Sequence, residues 1–254
     1  MVAYRPPIGA GRGQQHRRRR TRAWVPSGMS SSKLSRSVED YLKAIYGIAT
    51  EGDPASTSAI AESLDVQPAS VTGMVKRMAE SGLLEHVPYK GVRLTAAGTR
   101  EALKVLRRHR IIETYLCARL GYTWDDVHDE AERLEHAASD QLIEQMARAL
   151  GFPSHDPHGA PIPTAGGDIE TVEYSTLADA DAGDRLLIHA VRDESPDELR
   201  SMAENGLIPG ARILVGGRSS LDGSIEIEVT NDDLGTRAVS ATIARHVFVV
   251  PDPI

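Results

Sequence analysis

The stretch VHDEAERLEHAASD, residues 127–140, decides the reading of this chain. His128, Glu132, Glu135 and His136 stand at i, i+4, i+7 and i+8, which on a helix spans about 100° of arc. Four metal-capable side chains therefore share one face. A solvated charged face is the alternative, but such a face rarely carries two histidines. The preceding helical segment adds His109 and Glu113 at another i, i+4 spacing, and Asp40 lies on an earlier helix in the turn that points back toward them. Imidazoles and carboxylates gathered on adjacent helices have the composition of a divalent-metal site.

Upstream, Val38, Tyr41, Leu42, Ile45, Tyr46 and Ile48 recur at helical spacing behind Ser37 as N-cap, predicting a helix over about 37–50. STSAIAESL (56–64) reads as a short helix, Asp65-Val66-Gln67-Pro68 as a break, and Pro68 to Ser81 as a third helix stopped by Gly82. This is the helix-turn-helix outline, and LLEHVPYKGVRLT (83–95) follows it as a hairpin wing with Tyr89 and Lys90 at the tip. Gln67, Ala69, Ser70, Thr72 and Gly73 fall at the N-terminal end of the recognition helix, where side chains meet base edges. Lys76, Arg77 and Lys90 are placed for phosphates. Winged helices also serve protein contacts, but Lys76, Arg77, Lys90, Arg93 and Arg100 on one small module favour double-stranded DNA.

Downstream, two long helices are predicted over 97–119 and about 124–150, broken at Gly121-Tyr122. The proline- and glycine-rich GFP, DPHG and PIP between 151 and 167 then read as a linker. From Val172 onward, RLLIHAV, ARILVGG, IEIEVT and HVFVVP alternate between turn residues and predict a small five-stranded barrel. The expected organisation is an α+β multidomain chain. It comprises a tail (1–35), a winged helix-turn-helix domain (36–96), a helical metal-binding and dimerisation domain (97–152), a linker (153–172) and a β-barrel (173–254).

The 254 residues carry a formal net charge of −7, which by itself argues against a nucleic-acid partner. The average hides a gradient. Residues 1–35 hold eight bases and no acid, residues 36–110 hold eleven bases and nine acids, and the remainder is strongly acidic. The sole cysteine, Cys117, excludes an internal disulfide framework and fits a reducing, cytoplasmic setting. No apolar run approaches the roughly 18 positions of a membrane span, and no apolar segment follows Arg17–Arg20 to make a secretory signal. Two readings of the basic tail stand: an arm that attracts phosphate, or a dispensable extension preceding a start at Met29.

SVEDYLKAIY (37–46), RRHRIIETYL (107–116), VHDEAERLEHAASD and DPHGAPIP (156–163), with the winged helix between them, resemble the diphtheria toxin repressor family of metal-dependent transcriptional repressors over about residues 35–254. The resemblance implies a homodimer on a palindromic operator, built from a winged helix, a helical dimerisation domain and a C-terminal SH3-like (FeoA-type) domain. Carried over residue by residue, it implies a primary metal site of Asp40, Glu132, Glu135 and His136 and an ancillary site of His109, Glu113 and His128, joined by Asp193. Ala190 stands where iron-responsive members have a glutamate. Asp156 and His158 correspond to a ligand-bearing loop of some manganese-responsive members, and equally suit a simple turn. His189 reads as a strand histidine.

Iron-responsive members carry methionine and cysteine where this chain has Asp40 and Glu132, so the resemblance implies a Mn(II)-dependent repressor of manganese-uptake genes. An Fe(II)-dependent repressor of iron homeostasis is the alternative. Lys43 stands where compact manganese regulators have a glutamate, which speaks against a closely paired two-metal cluster. In the implied mechanism, clustered carboxylates repel in the metal-free protein, the first helix is loosely held, and metal fixes it for DNA. A metallohydrolase is disfavoured because no HExxH occurs, so neither an enzyme nor a small-molecule substrate is expected. A peptide-binding role for the barrel is disfavoured because Tyr174 and Phe248 are its only aromatic residues.

Overall fold

A computed structural model describes residues 34–49, 53–170, 174–192, 195–230 and 235–253. Both the basic tail through residue 33 and Asp193 lie outside the described residues. Helix α1 (Arg36–Ala49) starts a residue earlier than its periodicity predicts. The Ser35 carbonyl accepts from the amides of Val38 and Glu39, so Ser37 sits in the first turn and does not cap it. The Ser56 hydroxyl caps α2 (Thr57–Ser63) by accepting from the Ala59 amide, and Pro68 opens α3 (Pro68–Glu80). Strands β1 (Leu84–Val87) and β2 (Gly91–Leu94) pair antiparallel as the predicted wing, and Ala55 bridges to Val92 on its other side. Tyr41, Leu42, Ile45, Ile60, Val71, Val75, Met78 and Val92 bury one another in a common core. Full burial of each such aliphatic side chain stabilises by roughly 1.5–3 kcal/mol.

Helix α4 (Ala96–Tyr115) is the strut of the molecule. Ala102 near its start packs in that first core, while Ile111 and Ile112 near its end pack in a second one with Val127, Ala131, Ile143 and Ile162. Thr95 fastens its N-terminus: its hydroxyl accepts from the Gly98 amide and donates to the Gly82 carbonyl at 2.7 Å. The helix widens into one π-helical turn over Leu116–Leu120 and stops at Gly121 with φ +77°. The single helix predicted over 124–150 is instead two, α5 (Val127–Leu134) and α6 (Asp140–Ala149). Ser139 causes the restart, since its hydroxyl accepts from the Leu142 amide at 3.2 Å. Glu135 and His136 consequently lie just past the end of α5.

The C-terminal part is one antiparallel sheet of six strands, not five, in the order β3 (Ser175–Thr176), β8 (Val247–Pro251), β4 (Arg185–Val191), β5 (Arg212–Arg218), β6 (Ile225–Val229), β7 (Thr236–Val239). Two helices that alternation did not predict, α7 (Pro196–Glu204) and α8 (Ala241–Arg245), complete it. Leu199 and Met202 of α7 and Ala244 of α8 pack with Ile188, Ile213, Val215 and Ile227 from the strands in a third core.

The 153–163 segment, read as linker, is a built loop. His155 bridges to Pro161, and residues 156–159 are buried. The loop docks on a bulge in β4 between Ile188 and Ala190, where the Val191 amide donates to the His158 carbonyl at 2.9 Å. Gly159 makes the approach possible: its φ is +85°, and a Cβ there would lie 2.1 Å from the His189 carbonyl oxygen. Gly159→Ala should lower the thermal midpoint more than Gly121→Ala. The latter carries a similar left-handed backbone cost of about 1–2 kcal/mol but has open space around its Cβ position. Equal losses in parallel melts would contradict tight docking of the loop on the strand.

Candidate metal centre

Three groups of metal-capable side chains form between α1, α4, α5 and the docked loop, the donor atoms of each lying within 4.8 Å of one another: Asp40 with Glu135 and His136, His109 with His128 and Glu132, and Glu113 with Asp156 and His158. The sequence reading divided the same residues differently. Glu132, expected beside Asp40, falls with the two histidines, and Glu113, expected beside His109, also joins the loop.

In the first group His136 is clasped from both sides. Its Nε2 lies 2.8 Å from Asp40 Oδ1 and 3.4 Å from Glu135 Oε1, and its Nδ1 donates to Glu39 Oε2 at 2.7 Å. A carboxylate only accepts, so Glu39 fixes the ring and leaves Nε2 directed at the two acids. Glu39 in turn accepts from Arg108 at 2.6 Å. Burial raises the Asp40 pKa, and His136 partly offsets this. Sequence reasoning missed Glu39 and Arg108. The available signal was an acid inside the apolar stripe of α1, one residue before the acid singled out.

The second group is dominated by cations already present. The Lys43 ammonium donates to both oxygens of Glu135 at 3.1 Å, pairs closely with Glu132, and lies 3.4 Å from His109 Nδ1. Burial would lower the Lys43 pKa, but Glu135 and Glu132 overcome it and the net shift is upward. His109 lies between acids, with Nδ1 2.6 Å from Glu135 and Nε2 2.9 Å from Glu113, while its Nε2 also lies 3.2 Å from His128. Burial alone would lower the His109 pKa. The Glu113 charge and the hydrogen bonds that His109 donates to both carboxylates reverse that and raise it to about 9. Glu135, fully buried, is held below the usual carboxylate range because His109 and Lys43 outweigh its desolvation. Lys43 and Arg108 thus pair with acids of this cluster and tie α1 to α4 and to α5 and the turn after it.

In the third group the His158 Nε2–H donates to the Trp124 carbonyl at 2.7 Å, which turns Nδ1 toward Glu113 Oε2 at 4.0 Å. Asp156 also does the work of a turn: Oδ1 accepts the amides of His158 and Ala160 at 2.9 Å, and Oδ2 faces Arg110. Cys117 lies near this acid cluster. Burial, together with the charges of Glu113, Asp156 and Asp125, pushes its thiol up to about 12, so it offers no thiolate. The donors are carboxylates and imidazoles, a set that suits a divalent ion with hard-to-borderline preferences.

Gln67, Ala69, Ser70, Thr72, Gly73, Lys76 and Arg77 are all exposed along α3, and Lys90 is exposed at the wing tip beside Tyr89. Among the described residues, no helix is long and apolar enough to cross a membrane.

Comparison with known proteins accounts for each part. Residues 33–92 match the family described as iron dependent repressor, N-terminal DNA binding domain. Residues 95–164 match the iron dependent repressor, metal binding and dimerisation domain, and residues 175–251 match the FeoA domain. The chain is 38% identical to a solved manganese-dependent transcriptional repressor in complex with manganese, with a TM-score of 0.79 over 84% of this chain and 99% of the other. It is 30% identical to the manganese regulator SloR, with a TM-score of 0.70 over 85% of this chain and 98% of that one. The iron-dependent repressor IdeR of Mycobacterium leprae (strain TN) is 32% identical over 190 residues, 70% of this chain and 82% of its own length. An exposed recognition helix, a dimerisation domain rich in metal donors and these matches to every folded part place the chain in the diphtheria toxin repressor (iron dependent repressor) family: it is a metal-dependent DNA-binding transcriptional repressor with a C-terminal FeoA domain, not an enzyme.

Proposed function

We propose that this repressor is a cytoplasmic homodimer that responds to Mn(II), binds a palindromic operator and controls manganese-uptake genes. The observation that carries the reading is the first donor group: two carboxylates and one imidazole, with no sulfur ligand. Asp40, Glu135 and His136 would hold the regulatory ion, and a bound divalent cation supplies a cross-link between α1 and the end of α5. Glu113, Asp156 and His158 would hold a second ion, with Asp193 as a further candidate donor. A carboxylate-rich set with one imidazole and no sulfur suits Mn(II) better than softer metals. The manganese bound in one similar structure and the manganese dependence of its relatives support the same choice.

Asp40 belongs to the helix that packs in the DNA-reading core, whereas Glu135 and His136 belong to the helical part. Fixing one to the other narrows the orientations of α3 toward those that fit successive major grooves, and apparent operator affinity rises with the competent fraction. Gln67 and the exposed small residues after it meet base edges, while Lys76, Arg77 and Lys90 hold phosphates. An Fe(II)-responsive repressor is the second reading, favoured by the similarity to IdeR. Operator-binding titrations under anaerobic conditions separate them: Mn(II) should stimulate binding at lower concentration than Fe(II), and the reverse order would establish the iron reading.

Asp40→Ala and His136→Ala should each abolish Mn(II)-stimulated operator binding while leaving the dimer intact by sedimentation; unchanged stimulation would sink the assignment of the first group. Glu39→Gln keeps the contact but loses the charge that orients His136, and should weaken Mn(II) affinity about 10–100-fold in direct binding isotherms. Lys76→Ala or Lys90→Ala should weaken specific and nonspecific DNA alike and reduce the salt dependence by about one ion each. Gln67→Ala should instead relax base preference, costing about 1–3 kcal/mol at one position. A competition assay with mutated operators distinguishes the two behaviours.

A further inference from the structure

The Lys43 ammonium occupies a place that the donor chemistry reserves for a cation. It contacts Glu132 and His109, two of the three members of the His109–His128–Glu132 group, and both oxygens of Glu135. Its side chain is 21% exposed and Glu135 is 0% exposed, so the contact is enclosed. Glu135 is thus shared: Oε1 faces His136 Nε2 at 3.4 Å in the first group, while both its oxygens accept from Lys43. Lys43 follows Asp40 by three residues on α1, so the same helix face brings one metal donor and one tethered cation to the same carboxylate.

We propose that Lys43 is the resident cation of the second group: it closes His109, His128 and Glu132 to divalent metal, so that of the two groups Lys43 adjoins only Asp40, Glu135 and His136 take an ion, apart from any ion on Glu113, Asp156 and His158. This rests on the metal-dependent reading given above. An ammonium and a divalent ion cannot both lie against Glu132 and His109 at contact distance without desolvated like-charge repulsion. The tether gives Lys43 the advantage, because its effective concentration at the site does not fall with dilution. The ammonium also provides, without metal, the charge that buried Glu135 requires.

The test is metal stoichiometry. Mn(II) binding to the full-length protein without DNA is measured by equilibrium dialysis with electron paramagnetic resonance of the free ion, for the wild type and for Lys43→Gln and Lys43→Arg. Lys43→Gln keeps hydrogen-bond donors at the carboxylates but removes the charge, and should bind one more Mn(II) per protomer than the wild type. Lys43→Arg should keep the wild-type count. Adding His128→Ala to Lys43→Gln should remove the extra ion, which ties it to the second group. The metal-free Lys43→Gln protein should melt lower than the wild type and recover more on Mn(II) addition. An unchanged count and affinity in Lys43→Gln overturns the inference, as does loss of a bound ion on making His128→Ala in the wild type. A wild type that binds no Mn(II) beside a Lys43→Gln protein that binds one upholds the inference and overturns the manganese reading, while failure of both to bind overturns both.

Discussion

Buried carboxylates need positive partners, and that constraint organises the centre of this molecule. Glu39, Glu113 and Glu135 are all buried where α1, α4 and α5 converge. An isolated carboxylate in such a place costs several kcal/mol even after local relaxation, so each is met by a cation or an imidazole from another element. Arg108 and His136 meet Glu39, Lys43 and His109 meet Glu135, and His109 and His128 meet Glu113. These contacts join residues 69 to 97 positions apart as well as near neighbours. Electrostatics therefore ties the DNA-reading part to the helical part alongside α4, which places apolar residues in both cores.

Carboxylates that already pair with cations change what an incoming metal ion has to do. If the acids simply repelled one another, any divalent cation would relieve the strain and order the helix. With Lys43, Arg108 and two histidines in place, an incoming ion competes with existing partners, and its gain is the difference between two compensated states. The same logic applies at the third group, where Asp156 already holds its loop through two amides and Arg110.

Much of this was legible in the sequence, and what was not has identifiable causes. Helical spacing exposed the winged helix and the donor-rich stretch because period and capping agree there. The break after Leu134 was hidden because the apolar period runs on through Ala137, Ala138 and Ile143; only the Ser139-Asp140 pair betrays a new N-terminus. Helix α7 was passed over although Pro196 opens it and Asp197 and Glu198 fill its first turn, since strands on either side dominated the pattern. Asp40 was found because its residue type and neighbours match a motif. Glu39 was not, since adjacent helix positions differ by about 100°, and which of two neighbouring acids faces inward depends on what α4 presents. Partition of the donors into three groups depends likewise on how α1, α4, α5 and the loop are placed around one another, which helical spacing does not encode.

The gradient in charge takes its meaning from the same constraint. The formal −7 combines a basic front with an acidic back, and the boundary between them runs through α4, whose Arg107, Arg108 and Arg110 face acids or carbonyls of the helical part and the loop: Arg107 reaches Glu144 and the Pro163 carbonyl, Arg108 reaches Glu39, and Arg110 reaches Asp156. Those arginines are consumed internally and contribute little to the field that DNA meets. Among the described residues, exposed bases of the winged-helix module include Lys76, Arg77, Lys90, Arg93 and Arg100. A single module that grips phosphates through a handful of side chains loses much of its DNA affinity as salt rises. Pairing two of them at a fixed spacing raises affinity through effective concentration without any new contact, so control over the geometry of the pair is control over repression.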